Sequence, residues 1–303
     1  MLGTGGTLAG TAASAQDNLG YRAGQIGIAE LLARIPGLQD LPLETEQVAQ
    51  IDSKDMTPEI WRALAVRCAH WLAQDDVAGV VIGHGTDTLE ETAFFLHLVL
   101  APRKPVVLTC AMRPASALVP DGPQNLVDAL AVAATEGAGG VVAVGAGTIH
   151  GALDVAKQHS YRLDAFTSGD AGPIGYVEER SVRLVRPWPV SAPVAGALEK
   201  MQSAVRWPRV EIVTSHAGAS GRLVDAIVAQ GVEGLVVAAT GNGTLHHELE
   251  AALLRARDAG VRILRASRCA QGRVQTTPQD TLPHAGGLSP VKARIALLLE
   301  LLR

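Results

Sequence analysis

Two short segments of the sequence place threonine hydroxyls beside glycines, a combination suited to nucleophilic chemistry. The first, residues 4–10, reads Thr-Gly-Gly-Thr-Leu-Ala-Gly, and the second, residues 83–88, reads Gly-His-Gly-Thr-Asp-Thr. Glycines allow a ligand to approach the backbone closely, and the N–H groups of such turns can face an anion or a developing oxyanion. A dinucleotide-binding turn is disfavoured, because its G-x-G-x-x-G spacing would require glycine where Leu8 stands.

A threonine hydroxyl is a weak nucleophile and needs a neighbouring base or another activating group. Lys157 is the candidate base for Thr86, since a desolvated lysine near the top of a sheet can accept a proton. Asp87 is a candidate for binding a substrate ammonium, because Thr88 is expected to fill the capping-box position of the following helix. Taken alone, Asp87 would be read as a helix cap and Lys157 as a solvated surface residue.

The elements that must position these residues follow an α/β pattern. Near-continuous apolar runs separated by amphipathic stretches are typical of a mostly parallel sheet with helices on its faces. The strongest strand predictions are residues 77–82, 105–110, 140–144, 210–214, 234–239 and 261–266. Capping signals predict helices over residues 57–74, 88–100, 245–258 and 289–302.

The chain divides into a larger N-terminal and a smaller C-terminal α/β domain in this interpretation. Residues 186–207 are rich in proline and lack a sustained period, so they are predicted to form a linker. The N-terminal domain then spans residues 1–185 and the C-terminal domain residues 208–303. The glycine turn at residues 3–7 starts so early that the strand before it is expected to be shortened, and an export signal upstream would not be visible.

Composition excludes several classes of function. The 303 residues carry a formal net charge of −4 and only 3% aromatic residues, which is incompatible with a basic nucleic-acid surface or a base-stacking platform. No apolar stretch reaches the length of a membrane helix, and no signal peptide is visible, so a cytoplasmic location is expected. The three cysteines form no CxxC pair and indicate neither a disulfide framework nor a zinc site.

At the two glycine-rich segments the sequence resembles the bacterial-type L-asparaginases, a family that includes the asparaginase–glutaminases. Residues 4–10 and 84–93 are similar to the two signature motifs of that family. The similarity continues along almost the whole chain. It includes residues 104–107, 111–114, 121–123, 241–243 and 288–294.

The resemblance implies catalytic roles for five residues. Tyr21 matches the flap tyrosine that closes over the substrate. Thr7 matches the attacking threonine and is ranked ahead of Thr86, the alternative first nucleophile, because the flap tyrosine pairs with it. Thr86, Asp87 and Lys157 match a second catalytic cluster, in which Asp87 also binds the substrate α-amino group. The family needs no metal or cofactor, and residues 10–24 have the composition of a mobile lid.

The resemblance also implies a binding site for a small amino acid. Ser53 matches the residue that binds the α-carboxylate, and Ala111 lines the site through its backbone. Asn242 lies in the turn at residues 241–243, which also resembles the family. The expected substrate is L-asparagine, with L-glutamine as the alternative. The family assembles as homotetramers built from tight dimers, in which the neighbour's C-terminal domain completes each site.

Three departures from the family pattern bear on specificity. Lys54 stands where the secreted type often carries glutamine, and there it would either repel the substrate α-amino group or point away from it. Thr244 replaces a second asparagine, and residues 276–289 form a shortened segment without the glutamate that a partner subunit often supplies. The competing hypotheses are an amidase for another small amide, an amidotransferase subunit, and a non-catalytic amino-acid binding protein.

Overall fold

The computed structural model describes residues 1–190 and 194–303. They form two compact units, Met1–Pro193 and Val194–Arg303. Both units are α/β, with a larger sheet in the first, which confirms the predicted fold class. No helix of the described residues is long and apolar enough to cross a membrane.

The first unit is built on an eight-stranded sheet in the order β10-β9-β6-β5-β4-β3-β1-β2. Strands β5, β4, β3, β1 and β2 run parallel to one another, and β6, β9 and β10 complete the sheet as antiparallel strands. A separate two-stranded sheet consists of β7 and β8. The strands are β1 (Leu2–Gly5), β2 (Glu46–Ile51), β3 (Val80–Gly83), β4 (Val106–Thr109), β5 (Val141–Gly145), β6 (Thr148–Gly151), β7 (Ala156–Lys157), β8 (Phe166–Thr167), β9 (Gly175–Glu178) and β10 (Ser181–Leu184).

The central strands are buried on both faces, which explains their continuous apolar sequence. Val81, Val107 and Val142 point to one face and pack against Ala129 and Val132 of a helix. Their neighbours along each strand point to the opposite face, because side chains alternate in a strand. Those neighbours are buried as well. The sheet is therefore a rigid platform, and its strand ends are fixed positions for functional groups.

The first unit contains four α-helices among the described residues, and the one over residues 58–72 begins at a side-chain cap. They are α1 (Ile28–Ala33), α2 (Pro58–Leu72), α3 (Leu89–Leu100) and α4 (Gly122–Ala133). The hydroxyl of Thr57 accepts a hydrogen bond from the N–H of Ile60, as the predicted cap requires. Strand β1 has four residues, as many as β3 and β4, and pairs with both neighbours. It meets β3 only at Leu2 and Gly3, opposite Ile82 and Gly83, so the expected shortening of this strand stays a prediction.

The second unit contains a three-stranded parallel sheet in the order β11-β12-β13. Its elements are α5 (Ala197–Ser203), β11 (Val210–Thr214), α6 (Arg222–Ala229), β12 (Gly234–Ala239), α7 (His247–Asp258), β13 (Arg262–Ser267) and α8 (Pro290–Leu301). The last helix is capped by the hydroxyl of Ser289, as predicted. The predicted linker is not free of regular structure, because α5, which is rich in strong helix formers, lies within residues 186–207. Residues 191–193 of that linker lie outside the described residues.

His150 ties β6 to the segment after β8 in the interior of the first unit. Its Nδ1 lies 2.8 Å from the hydroxyl of Ser168, and both residues are buried. Burial, reinforced by the nearby Arg186 guanidinium, lowers the pKa of His150 from 6.5 to about 4. The unfolded chain, with the ordinary pKa, therefore binds a proton more readily than the folded chain between these two pH values.

We expect this difference to make the first unit less stable as the pH falls from 6.5 to 4. The slope contributed by one such proton reaches about 1.4 kcal/mol per pH unit. His150→Gln, which retains a hydrogen-bonding group, should show a shallower pH dependence of the unfolding free energy in urea titrations. The exposed His70 provides the control. An unchanged slope in His150→Gln, equal to that of His70→Gln, would show that His150 is not buried in its neutral form.

Candidate active site

Four neighbouring strands of the large sheet deliver the predicted site residues. Thr7 follows β1, Ser53 follows β2, Thr86 follows β3, and Ala111 follows β4. These strands are parallel and adjacent in the order β4-β3-β1-β2, so their carboxyl ends lie along one edge of the sheet. The chain leaves β1 in one direction for β2 and returns on the other side as β3. That reversal is the position at which open α/β sheets bind ligands.

Two glycines bring the turns after β1 and β3 into direct contact. A Cβ atom on Gly6 would lie 2.3 Å from the Cα of Gly85. A Cβ atom on Gly85 would lie 2.5 Å from the Oγ of Ser53. Gly6 also has φ of +78°, a conformation that side chains rarely adopt. Only glycine fits at both positions. The residues that follow the two glycines, Thr7 and Thr86, therefore lie on turns that touch.

Thr7 forms a hydroxyl pair with Tyr21. The Oγ1 of Thr7 lies 2.6 Å from the phenolic oxygen of Tyr21, and either atom can be the donor. Thr7 is buried, with 5% of its surface exposed. The structure therefore brings together the two residues that the sequence predicted for nucleophilic attack.

Tyr21 lies on a loop that folds over the turn after β1 and places its side chain beside Thr7. Thr11 and Arg22 exchange backbone hydrogen bonds of 3.0 and 2.8 Å, which close residues 11–22 into a loop. The N–H of Ala12 donates to the hydroxyl of Ser116 at 2.7 Å, and the N–H of Leu118 donates to the carbonyl of Ala15. The lid is thus closed over the turn after β1 in this structure.

Thr86, Asp87 and Lys157 form a second cluster. The ammonium of Lys157 donates to the hydroxyl of Thr86 at 2.8 Å and to Oδ1 of Asp87 at 2.6 Å. Thr86 is buried, whereas about half of the Asp87 side chain is exposed. Because Lys157 approaches only Oδ1, the second carboxylate oxygen of Asp87 is available for a ligand.

Lys157 arrives on the short strand β7, a placement that its sequence did not reveal. Its backbone N–H donates to the carboxylate of Glu90, in the first turn of α3, at 2.6 Å. The sequence predicted no functional role for Glu90. The signal that could have raised its importance is its position in the first turn of the helix that directly follows Thr86 and Asp87.

Ser53 links the turn after β2 to the same cluster. Its hydroxyl oxygen accepts a hydrogen bond from the N–H of Asp87 at 3.1 Å, and it is 2% exposed. The hydroxyl hydrogen of Ser53 finds no acceptor among the described residues and can be donated to a ligand. The hydroxyl of Thr88 donates to the carbonyl of Ser53 at 2.8 Å and makes no capping bond, so the predicted capping box is wrong.

His84 holds the turn after β3 in place through buried hydrogen bonds. Its Nδ1 lies 2.7 Å from the carbonyl of Gly85, which can only accept, so the proton is on Nδ1. Its Nε2 then accepts from the hydroxyl of Thr92 at 2.9 Å, and that hydroxyl accepts from the indole N–H of Trp61. Burial lowers the pKa of His84 to about 4, so this network holds a neutral ring.

Ala111 lies at the wall of the site with its side chain fully buried. The loop that continues from it is held by Asp121, whose two carboxylate oxygens accept the N–H groups of Met112 and Arg113 at 2.9 Å each. The backbone at Ala111 is therefore fixed, consistent with the prediction that this residue contributes through its main chain.

Lys54 and Asn242 are engaged in contacts of their own. The ammonium of Lys54 pairs with Asp52 and lies 3.7 Å from Asp55, so two carboxylates compensate its charge. Asn242 belongs to the second unit, where its side chain donates to the carbonyl of Gln275 at 3.0 Å and accepts from the N–H of the same residue at 2.7 Å. Direct roles for both in substrate binding stay predictions.

Comparison with known proteins places this geometry in a family. Residues 1–189 match the family described as Asparaginase, N-terminal, and residues 209–303 match the Glutaminase/Asparaginase C-terminal domain. The chain belongs to the asparaginase family. The family resemblance expected from the two glycine-rich segments is thereby confirmed.

Relatives of this asparaginase-family chain align with it along nearly its full length. It is 34% identical to L-asparaginase 2 of Bacillus subtilis (strain 168), with 99% of this chain and 81% of the relative covered. It is 36% identical to the glutaminase-asparaginase of Pseudomonas fluorescens biotype A, with 99% and 85% covered. The crystal structure of a probable cytoplasmic L-asparaginase from Campylobacter jejuni superposes with a TM-score of 0.92 at 38% identity, with 99% and 93% covered.

The glycine contact predicts a steric test. Gly85→Ala should lower the unfolding free energy by about 1–3 kcal/mol, because the added methyl must displace Ser53 or Gly6. It should lower kcat/KM as well, since Thr86 and Thr7 are carried by the displaced turns. Gly145→Ala is the control, because its Cβ would meet nothing within 4 Å. Thermal denaturation and an activity assay of both variants test this expectation. Equal stability and equal activity of the two variants would contradict the packing described.

Proposed function

We propose that this member of the asparaginase family hydrolyses L-asparagine to L-aspartate and ammonia through a threonine acyl-enzyme. The observation that carries the proposal is the convergence on touching turns of two hydroxyls that each contact a proton-carrying side chain, Thr7 with Tyr21 and Thr86 with Lys157. A non-catalytic binding protein would need groups for the amino acid but no such pairs. The names of the relatives supply independent support.

The substrate's two charged groups find complementary partners in this proposal. The α-ammonium binds the free oxygen of Asp87, whose other oxygen is occupied by Lys157. The α-carboxylate accepts the hydroxyl hydrogen of Ser53, which is fixed by its bond from the N–H of Asp87. These two contacts hold the head of the amino acid between the turns after β2 and β3, and they leave the side-chain amide to reach Thr7.

In the first chemical step the Oγ1 of Thr7 attacks the amide carbon. Its proton passes to the phenolic oxygen of Tyr21 or through it to a further base, and backbone N–H groups of the glycine turns stabilise the oxyanion. The C–N bond then breaks, and the amide nitrogen takes a proton and leaves as ammonia. The product of this step is an ester between Thr7 and the β-carboxyl of aspartate.

In the second step water cleaves that ester. Thr86 and Lys157 position the water, whose oxygen bonds to the acyl carbon while the Oγ1 of Thr7 leaves and recovers its proton. The closed lid around Tyr21 keeps bulk water out during the first step. No step requires a metal or cofactor. No group of three potential metal-ligating side chains lies together within the part of the chain that the structure describes.

L-Glutamine is a second candidate substrate, because three of the similar relatives are named glutaminase-asparaginase. We propose a preference for asparagine and a homotetrameric assembly, as the family resemblance implies. A cytoplasmic location is supported by the name of the Campylobacter jejuni protein, although a Haemophilus influenzae relative is named periplasmic.

Ammonia release from L-asparagine and L-glutamine tests the proposal directly. We expect the wild type to act on asparagine and Thr7→Ala to lose at least about 10³-fold in kcat, as happens when a nucleophile is removed. Thr7→Ser is the matched control, because it keeps a hydroxyl at the attacking position and should retain measurable turnover. A wild type that releases no ammonia from either amide, or a fully active Thr7→Ala, would contradict the proposed function.

A further inference from the structure

Lys157 is held by a weak local element. It lies on β7, which has two residues and, among the described strands, pairs with the two residues of β8 alone. This small sheet is separate from the eight-stranded sheet that fixes Ser53, Thr86 and Ala111. A two-stranded ribbon of this size is not stable by itself, so the position of Lys157 has to be set by other contacts.

Glu90 provides such a contact at Lys157 itself. Its Oε2 accepts the backbone N–H of Lys157 at 2.6 Å, across a sequence separation of 67 residues. The other end of the same lysine, Nζ, donates to Thr86 and Asp87. Both ends of Lys157 are therefore bound to one short stretch, residues 86–90.

Glu90 is located where it can hold Lys157 close to Thr86 and Asp87. Glu90 lies in the first turn of α3, directly after the Thr86–Asp87 turn, where the helix dipole stabilises a carboxylate. A charge-assisted hydrogen bond from an amide N–H to such a carboxylate is shorter and stronger than a neutral one. Because α3 starts from the end of β3, a group on its first turn moves together with Thr86 and Asp87.

The small sheet of β7 and β8 has another contact, which lies just after β8. The contact between His150 and Ser168 holds the chain just after β8, on the strand opposite Lys157. That contact fixes the partner strand to β6 and therefore to the large sheet. The chain just before β7 is held in a similar way, because the N–H groups of Asp154 and Val155 donate to the carbonyl of Gly151 at the end of β6. The bond from Glu90 is the contact that joins the lysine backbone directly to the helix after the Thr86–Asp87 turn.

We propose that Glu90 is a positioning residue for the reaction, which holds the backbone of Lys157 at the distance from which its ammonium reaches Thr86 and Asp87. The inference rests on the proposed role of Lys157 in hydrolysis. Glu90 acts through Lys157 and makes no contact with the substrate. What it requires of residue 90 is an oxygen acceptor at the end of a side chain of glutamate length.

Three variants of Glu90 in the full chain test this requirement. Glu90→Ala removes the acceptor and should lower kcat for L-asparagine roughly 10- to 100-fold, with a smaller change in KM, as expected when a catalytic group is misplaced by about 1 Å. Glu90→Gln keeps the oxygen at the same length and should recover kcat to within about threefold of the wild type. Glu90→Met, of similar length but without an oxygen, should behave like Glu90→Ala and serves if the alanine variant does not fold.

A double-mutant cycle with Lys157→Ala separates positioning from a general structural effect. If Glu90 acts through Lys157, Glu90→Ala should change kcat less than about twofold in the Lys157→Ala background. The inference is overturned if Glu90→Ala is as active as the wild type, if Glu90→Gln is as impaired as Glu90→Ala, or if the full effect persists without the lysine. A fully active Lys157→Ala would overturn the proposed role of the lysine and this inference with it, whereas the other outcomes leave the proposed function standing.

Discussion

The close approach of Gly6 and Gly85 is the constraint on which the site depends. Backbone meets backbone there with no space for a Cβ atom, so the turns after β1 and β3 touch. Because these strands are adjacent and parallel, the contact turns two separate strand ends into a single surface that carries Thr7 and Thr86. The hydroxyl of Ser53 packs against the same place and accepts the N–H of Asp87, so the end of β2 joins the surface too.

The site combines groups fixed by the large sheet with groups that need tethers of their own. Ser53, Thr86 and Ala111 stand at strand ends whose positions the buried sheet determines. Tyr21 comes on a lid and Lys157 on a two-residue strand, and each reaches the site only through specific hydrogen bonds. The sheet thus fixes one set of groups, and the lid and β7 bring the others to them. The predicted motion of the lid would let substrate enter before it closes.

The sequence predicted the parallel sheet, and the structure brings together the side chains of Thr7 and Tyr21 and those of Thr86, Asp87 and Lys157, which the family resemblance had pointed to. Strands β11 and β12 were placed correctly to the residue, because buried parallel strands give continuous apolar runs between turn signals. Strand β2 was missed because it is a polar edge strand, and α4 was missed because it opens with Gly-Pro. The tether from Glu90 to Lys157 spans 67 residues and depends on tertiary packing, which no local pattern encodes. The capping box at Thr88 failed because a buried carbonyl, that of Ser53, competes for its hydroxyl.

The identity of the acylated threonine tests the account most directly. We would mix the enzyme with L-asparagine, quench with acid within one turnover, digest the protein and locate the added aspartyl group by mass spectrometry. The account predicts the adduct on the peptide that contains Thr7, with its amount reduced when the reaction is allowed to run to completion. An adduct on the peptide that contains Thr86, or turnover with no covalent adduct at any quench time, would contradict the assignment of Thr7 as the nucleophile.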